Sequence, residues 1–420
     1  MDQQAIPAPT TMRIARWEFI ALCAALMALN SLAIDIMLPA LQQIGASLGV
    51  ENENHRQYVI PAYILGFGFA QLFFGPLSDR FGRRPPLLAG LVIYVLASGA
   101  AAVAPTFETL LLCRFVQGIG AASTRVIAVS IVRDTFEGRR MAEVMSLIFM
   151  VFMAIPVIAP SIGQLVILFA SWHFIFVAMA IGAILISTWV TLRLPETLHP
   201  QYRRPLTSQA IIGGFTTVLS NRVALCYALA STFAFAAMFG FINSAQQIYV
   251  GLYGVGELFP VIFACVAGMI AVSNFANARL VGRIGMRRLS QGALIALLSI
   301  SLLWLLLSLR GPIPLPLFIA IFASAMVPFA MLGSNFNALA MEPLGAVAGT
   351  ASSVLGFLQT FGGGLLGTII GQAYNGTVTP LAAGFCLVSA GAFVAVLIAE
   401  NGKLFQPHNA PVEPGGGFGE

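Results

Sequence analysis

Charge is scarce in this chain of 420 residues: acidic and basic side chains make up 9% of it, against 58% hydrophobic residues. Soluble domains carry about 25% charged residues. A mean hydropathy of +0.90 cannot cover a water-facing surface, so the composition excludes a set of soluble domains. Other absences narrow the function. There is no P-loop nucleotide motif, which argues against ATP drive. The four histidines (His55, His173, His199, His408) fall in loops or at span ends without metal-ligand spacing, so no metal or other cofactor is expected. The five cysteines (Cys23, Cys113, Cys226, Cys265, Cys386) lie within apolar runs with no CxxC, and read as buried free thiols. The first apolar run, from Trp17 to about Leu41, is too long for the core of a cleavable signal peptide and reads as a retained span.

What the chain does have is apolar runs long enough to span a ~30 Å hydrocarbon core. Twelve are expected, at 17–41, 57–77, 86–105, 107–131, 142–169, 173–194, 222–249, 258–282, 289–309, 315–341, 347–374 and 378–400. In lipid the backbone finds partners only internally, so these runs predict helices and an all-α membrane protein. With the N-terminus inside, the cytoplasmic segments hold 17 of the 21 basic residues: Arg13, Arg16, Arg80, Arg83, Arg84, Arg133, Arg139, Arg140, Arg193, Arg203, Arg204, Arg222, Arg279, Arg283, Arg287, Arg288 and Lys403. Only Arg56 and Arg310 fall outside, and Arg114 and Arg125 fall within span 4. This bias puts both termini in the cytoplasm. The net charge of +5 therefore marks orientation and not a nucleic-acid surface.

The longest polar connection, 195–221, divides the chain into six-span halves at 17–194 and 222–400. A short interfacial helix is expected in it near Ala210–Leu219. The ends, 1–16 and 401–420, read as cytoplasmic; within them 1–12 and 411–420 are rich in Pro and Gly and read as flexible. An internal repeat supports the division. "LSDRFGRR" (77–84) recurs as "LVGRIGMRR" (280–288), and "QQIGASLGV" (42–50) resembles "QQIYVGLYGV" (246–255) at nearly the same offset. Parallel halves with a site between them at mid-depth are a transporter architecture.

At these residues the chain resembles the major facilitator superfamily. "GPLSDRFGRRPPLL" (75–88) resembles its loop signature between spans 2 and 3, and "RFVQGIGAA" (114–122) the span-4 signature of proton-coupled members. "AIDIMLPAL" (33–41), "VRD" (132–134) and "APSIGQ" (159–164) resemble the Bcr/CflA drug:proton antiporters. The resemblance implies the twelve-helix fold in two halves, proton-coupled drug efflux and coupling roles for Asp35 and Arg114. The span-5 signature departs from the family's G-P-x-x-G-G: Ala159 and Gln164 replace both flanking glycines. Gln164 either loosens the packing there or adds a hydrogen bond.

Proton exchange needs a titrating group that is not freely solvated. Asp35 is the one acid well inside a span, and intramembrane acids are costly and usually functional. The competing reading is a hydrogen bond that holds span 1 to a neighbour. At ~1.5 Å per residue, Asp35 lies about 9 Å and Arg114 about 7–8 Å toward the outside, so the two share a depth. Arg125 is eleven residues after Arg114, almost three whole turns, which puts both on one face with Gln117. Arg125 either snorkels to the inner surface or lines the cavity on the inner side, where it binds substrate or repels cations. Pro39 predicts a bend one turn after Asp35, and Pro156 and Pro160 bend span 5.

The second half carries uncharged polar and aromatic residues, and Phe239 sits where the repeat would place Asp35. The substrate candidates are Tyr58, Tyr63, Gln117, Arg125, Phe235, Phe239, Asn243 and Gln359. The gating candidates are Gly75, Asp79, Arg80, Gly82, Arg83, Arg133, Pro156, Pro160 and Gly163. Asp79 is expected to pair with Arg133, with the start of span 11 as a further partner, when the transporter faces outward. Small-residue runs at 118–122 and 356–367 permit either sliding or tight packing. Together these readings predict a monomeric, proton-coupled exporter of small, largely apolar molecules in the lipid of a bacterial cytoplasmic membrane, and not an enzyme. A transporter of one metabolite is the alternative. A membrane-embedded enzyme or receptor would need an ionisable cluster or a soluble domain, and neither is visible.

Overall fold

The computed structural model describes residues 14–136, 138–203 and 208–406; the expected flexible ends, with Arg13, Arg204 and His408, lie outside them. No strand occurs among the described residues. The first half contains the long helices α1 (Arg16–Asp35), α2 (Val59–Phe81), α3 (Arg84–Ala101), α4 (Phe107–Thr135), α5 (Gly138–Phe169) and α6 (His173–Arg193). The second contains α7 (Arg222–Gln246), α8 (Phe259–Ile284), α9 (Met286–Arg310) and α10 (Leu315–Met341). It ends with α11 (Ala348–Phe357 continuing through a π-helical turn, Leu358–Gly362, into Gly363–Gln372) and α12 (Thr379–Ala399). Among the described residues eleven helices are long and apolar enough to cross a membrane, and α5 contributes the shorter apolar stretch Ala154–Phe169. The linker folds a further helix, Ser208–Ser220, which packs on α7 and the start of α11.

The element ends follow local chemistry. Thr106 Oγ1 accepts from the Thr109 N–H at 3.2 Å and caps α4, and Asn221 Oδ1 accepts from the Ala224 N–H at 2.9 Å and caps α7. α1 breaks where proline predicts: it stops at Asp35, a 3-10 turn with Pro39 follows at Leu38–Ala40, and α-helix resumes at Leu41–Ser47. α2 runs further than the hydropathy predicts. Asp79 and Arg80 lie on its last turn, and Gly82–Arg83 alone separate it from α3. Gly82 takes φ 93° and ψ 169°, and its repeat counterpart Gly285 takes φ 88° and ψ 150°. Only glycine enters this region readily, so the repeat has a shared backbone cause.

The polar and apolar residues are distributed inside out relative to a soluble protein. Leu96, Val103, Leu112, Leu168, Phe169, Leu185 and Leu387 are exposed, while Asn30, Asp35, Arg114, Gln117, Asn243 and Asn335 are buried. Within the first half α4 packs between α2 and α3; within the second, α7 packs among α10, α11 and α12. The halves meet along α2–α11 and α5–α8. The two small-residue runs differ in use. Gly118 and Gly120 of α4 lie against Tyr63 of α2 and against Gly90 and Tyr94 of α3, inside one half. In α11, Gly363 and Gly367 face α7, while Gly356 and Gly364 face α2 across the halves.

Candidate functional site

The break in α1 positions Asp35. Its carboxyl is 4% exposed, and the Ser31 hydroxyl donates to Oδ2 at 3.0 Å. No cation pairs with it among the described residues. Gly163 of α5 lies against this break: a Cβ there would collide with the Ile36 carbonyl and meet Pro39 Cγ at 3.0 Å. The one glycine kept in the altered span-5 signature is thus the one that lets α5 approach. Gln164 is half-buried and makes no hydrogen bond among the described residues, so its added bond does not form here.

Arg114 is fully buried at the level of Asp35 but does not pair with it. Its Nη2 donates to the Ala33 carbonyl at 2.8 Å, Nε to the Val59 carbonyl at 3.1 Å, and Nη1 to Gln117 Oε1 at 2.6 Å. The guanidinium also stands 4.6 Å from the Tyr63 ring centroid. Such saturation offsets the cost of burying the cation. Gln117 Nε2 then donates to Ser98 Oγ at 2.7 Å, which turns Gln117 toward α3. Tyr63 is equally occupied. Its hydroxyl donates to Asn30 Oδ1 at 3.2 Å, and Asn30 Nδ2 donates to Thr124 Oγ1 at 2.9 Å. Gln117 and Tyr63 are therefore buried parts of one network around Arg114, and neither has a free surface in this conformation.

The remaining substrate candidates are dispersed. Arg125 is half-buried, 6.0 Å from the Phe67 ring centroid. Phe235 and Phe239 touch each other on α7, their ring centroids 6.0 Å apart. Asn243, one turn further along α7, is 1% exposed and neither of its amide atoms has a partner. Gln359 lies on the π-turn of α11 and donates to Asn337 Oδ1 at 3.5 Å. Tyr58 stacks on His55 at the loop end of α2.

At the arginine-bearing end, Asp79 pairs with Arg83 and not with Arg133, which is exposed, as is Arg80. Arg83 is buried between two acids, and its Nε meets Asp134 Oδ2 at 2.6 Å. Burial opposes its charge, yet the hydrogen bonds and charges of Asp134 and Asp79 outweigh this and hold its pKa above the ordinary value. Glu196, the first acid of the linker, accepts from the Arg83 and Arg84 N–H groups at 2.7 and 3.1 Å and so caps α3. Gly75 faces Ser353 of α11, and a Cβ there would stand 2.6 Å from its Oγ. Pro156 and Pro160 lie inside α5.

The opposite end is joined across the halves around Asn54, a residue that sequence reasoning missed. Asn54 Nδ2 donates to the Gln372 and Tyr374 carbonyls, both at 2.9 Å. Its Oδ1 accepts from Gln247 Nε2 at 2.6 Å, its own carbonyl accepts from Gln372 Nε2 at 2.6 Å, and Gln57 Nε2 donates to Gln246 Oε1 at 3.2 Å. Midway, Gln71 Nε2 donates to Thr360 Oγ1 at 3.1 Å on the α11 π-turn. Asn30, polar at the middle of an apolar run, was visible in the sequence; Asn54, in an ordinary polar loop, gave no signal.

The family model described as Major Facilitator Superfamily matches residues 20–368. The chain is 30% identical over 376 residues to a bicyclomycin resistance protein homolog of Haemophilus influenzae, covering 88% of this chain and 93% of the relative. It is 32% identical to the multidrug resistance protein MdtL of Klebsiella pneumoniae, covering 84% and 89%. It is also 32% identical to a chloramphenicol resistance protein of Pseudomonas aeruginosa, covering 81% and 80%. Among solved structures, a D-xylose-proton symporter aligns with a TM-score of 0.66 at 13% identity, covering 91% of this chain and 96% of that one. This last likeness concerns the fold alone.

Proposed function

We propose, from the premise that this chain belongs to the Major Facilitator Superfamily, that it exports drug-like molecules from the bacterial cytoplasm in exchange for protons. The family is one of transporters and not enzymes, and the similar resistance proteins support efflux as the task. The observation that carries the coupling is Asp35: a buried carboxyl at a helix break, with one hydroxyl partner and no cation among the described residues. A buried charge without a counter-ion is costly. Asp35 therefore carries its proton while buried, and releases it when the break opens to water.

The arginine bias favours twelve spans with both termini in the cytoplasm of a bacterial inner membrane, working as a monomer. In that orientation the Asn54 end faces outward and is closed. Each ion pair among the described residues lies within one half, so none of them locks the inner ends together. The protein is thus read in an outward-closed state. The halves rock about α2–α11, where the α11 glycines let the helices slide.

The test is chloramphenicol efflux from proteoliposomes under an imposed pH gradient. Asp35→Asn should abolish gradient-driven efflux and leave downhill exchange intact. Gradient-driven efflux at the wild-type rate in that variant would remove Asp35 from the coupling step.

A further inference from the structure

Carboxylates and guanidiniums at the arginine-bearing end are unevenly matched. Every described acid there is engaged. Asp79 and Asp134 hold Arg83, Glu18 holds Arg193, Glu143 holds Arg16, and Glu342 and Glu400 hold Arg287. Glu196 is occupied by backbone N–H groups. Among the described residues several arginines of this end have no acid partner, Arg80, Arg125, Arg133, Arg279 and Arg283 among them. Arg279 and Arg283 lie with Ala276 and Leu280 on one stripe of α8 and line an open recess of about 580 Å³.

Arg125 is half-buried, while the others are exposed. It shares a face of α4 with Arg114, and its neighbour Thr124 is bonded to α1. Its guanidinium lies toward Phe67, which is 4% exposed, and so points into the bundle and not to lipid. Phe67 precedes Gly68, which abuts Phe361 of α11; this side of α4 therefore borders the interface between the halves. A guanidinium has five N–H donors, and none of those on Arg125 is used among the described residues. Arg114, by contrast, is saturated.

We propose that Arg125 recognises an acceptor oxygen on the transported molecule, and that the inner vestibule takes uncharged or anionic amphiphiles and rejects cations. The acceptor is a carbonyl, nitro or carboxylate group. The aromatic ring of Phe67 holds the guanidinium while leaving its N–H edge free to donate. A lipophilic cation approaching Arg125 would meet its uncompensated guanidinium and, among the described residues, no free carboxylate at this end. The proposal deepens the export reading, on which it depends only for the direction of transport.

The test uses the full chain carrying Val129→Cys, one turn inward of Arg125 at a half-buried position. Inside-out vesicles are treated with anionic ethylsulfonate or cationic trimethylammonium methanethiosulfonate. Modification at residue 129 is followed by mass spectrometry and scaled to each reagent's rate with a free thiol. The anionic reagent should react several-fold faster. Adding Arg125→Gln should level the two rates, and Arg125→Lys should keep the preference. In parallel, wild-type protein should carry chloramphenicol, an uncharged nitroaromatic amide, and not the cation ethidium. Arg125→Gln should weaken chloramphenicol binding about tenfold, the order of one lost hydrogen bond to a charged group. Equal reagent rates in the parent, or rates unmoved by Arg125→Gln, overturn the proposal. If the preference holds but a pH gradient drives neither compound, the charge inference stands and the export reading falls.

Discussion

At the scale of the residue, Arg114 shows how a buried cation can be kept without a counter-ion. Its planar fork reaches two backbone carbonyls and an amide oxygen at once, with an aromatic face beneath it. Lysine offers a compact ammonium and cannot span three acceptors in those directions. Arg114→Lys should therefore leave acceptors unmet and cost about 2–3 kcal/mol, read as a lower melting temperature of the purified protein. A wild-type melting curve would contradict this account. The sequence reading puts the residue at the depth of Asp35, yet the two do not pair. Arg114 holds the α1 backbone two residues away, at Ala33, and so fixes where the break lies.

At the scale of the element, the contact between α1 and α5 depends on a missing side chain. The α-helix of α1 stops at Asp35, and Gly163 packs where the helix is interrupted. Gly163→Val would drive a branched side chain into the Ile36 carbonyl and Pro39. Such overpacking costs about 1–3 kcal/mol and should remove transport along with stability. Gln164→Gly, which restores the family's pattern one position on, should be nearly neutral, because Gln164 makes no hydrogen bond here. Transport assays and melting curves of the two variants check the contrast; equal effects would mean that Gly163 is not special. The cap on α3 is a second case. Glu196 reaches the Arg83 and Arg84 N–H groups from more than a hundred residues away, tying the linker to the α2–α3 turn.

At the scale of the whole molecule, the closed end is an uncharged latch centred on Asn54. Its hydrogen bonds to Gln372, Tyr374 and Gln247 all cross between halves. Asn54→Ala should remove about 2 kcal/mol from the closed state, a shift of roughly 30-fold toward the outward-open state. Spin-label distances between the loop ends of α2 and α11 measure it, and an unchanged distance distribution would place the latch elsewhere. The inner network around Arg83 differs in kind. It is ionic and lies inside one half, so in this conformation it braces the α2–α3 turn and does not itself link the halves.

By itself the sequence determined the apolar helices and the family, and its expectations of two halves and of Asp35 as the coupling acid come from the same kind of reading. Each of these rests on a local property: hydropathy over about 20 residues, charge in short loops, a proline one turn past an acid, or a glycine-bearing repeat. The paired φ angles at Gly82 and Gly285 show that even the repeat had a backbone reason. Tertiary structure alone decided who partners whom. It gave Asp79 to Arg83, turned Gln117 and Tyr63 inward to Arg114, left Arg125 without an acid among the described residues, and joined Asn54 to Gln372 across 318 positions. In an interior with little water, a polar side chain is fixed by the nearest acceptor or donor in space. That neighbour is set by how the two halves dock, which a local pattern does not encode.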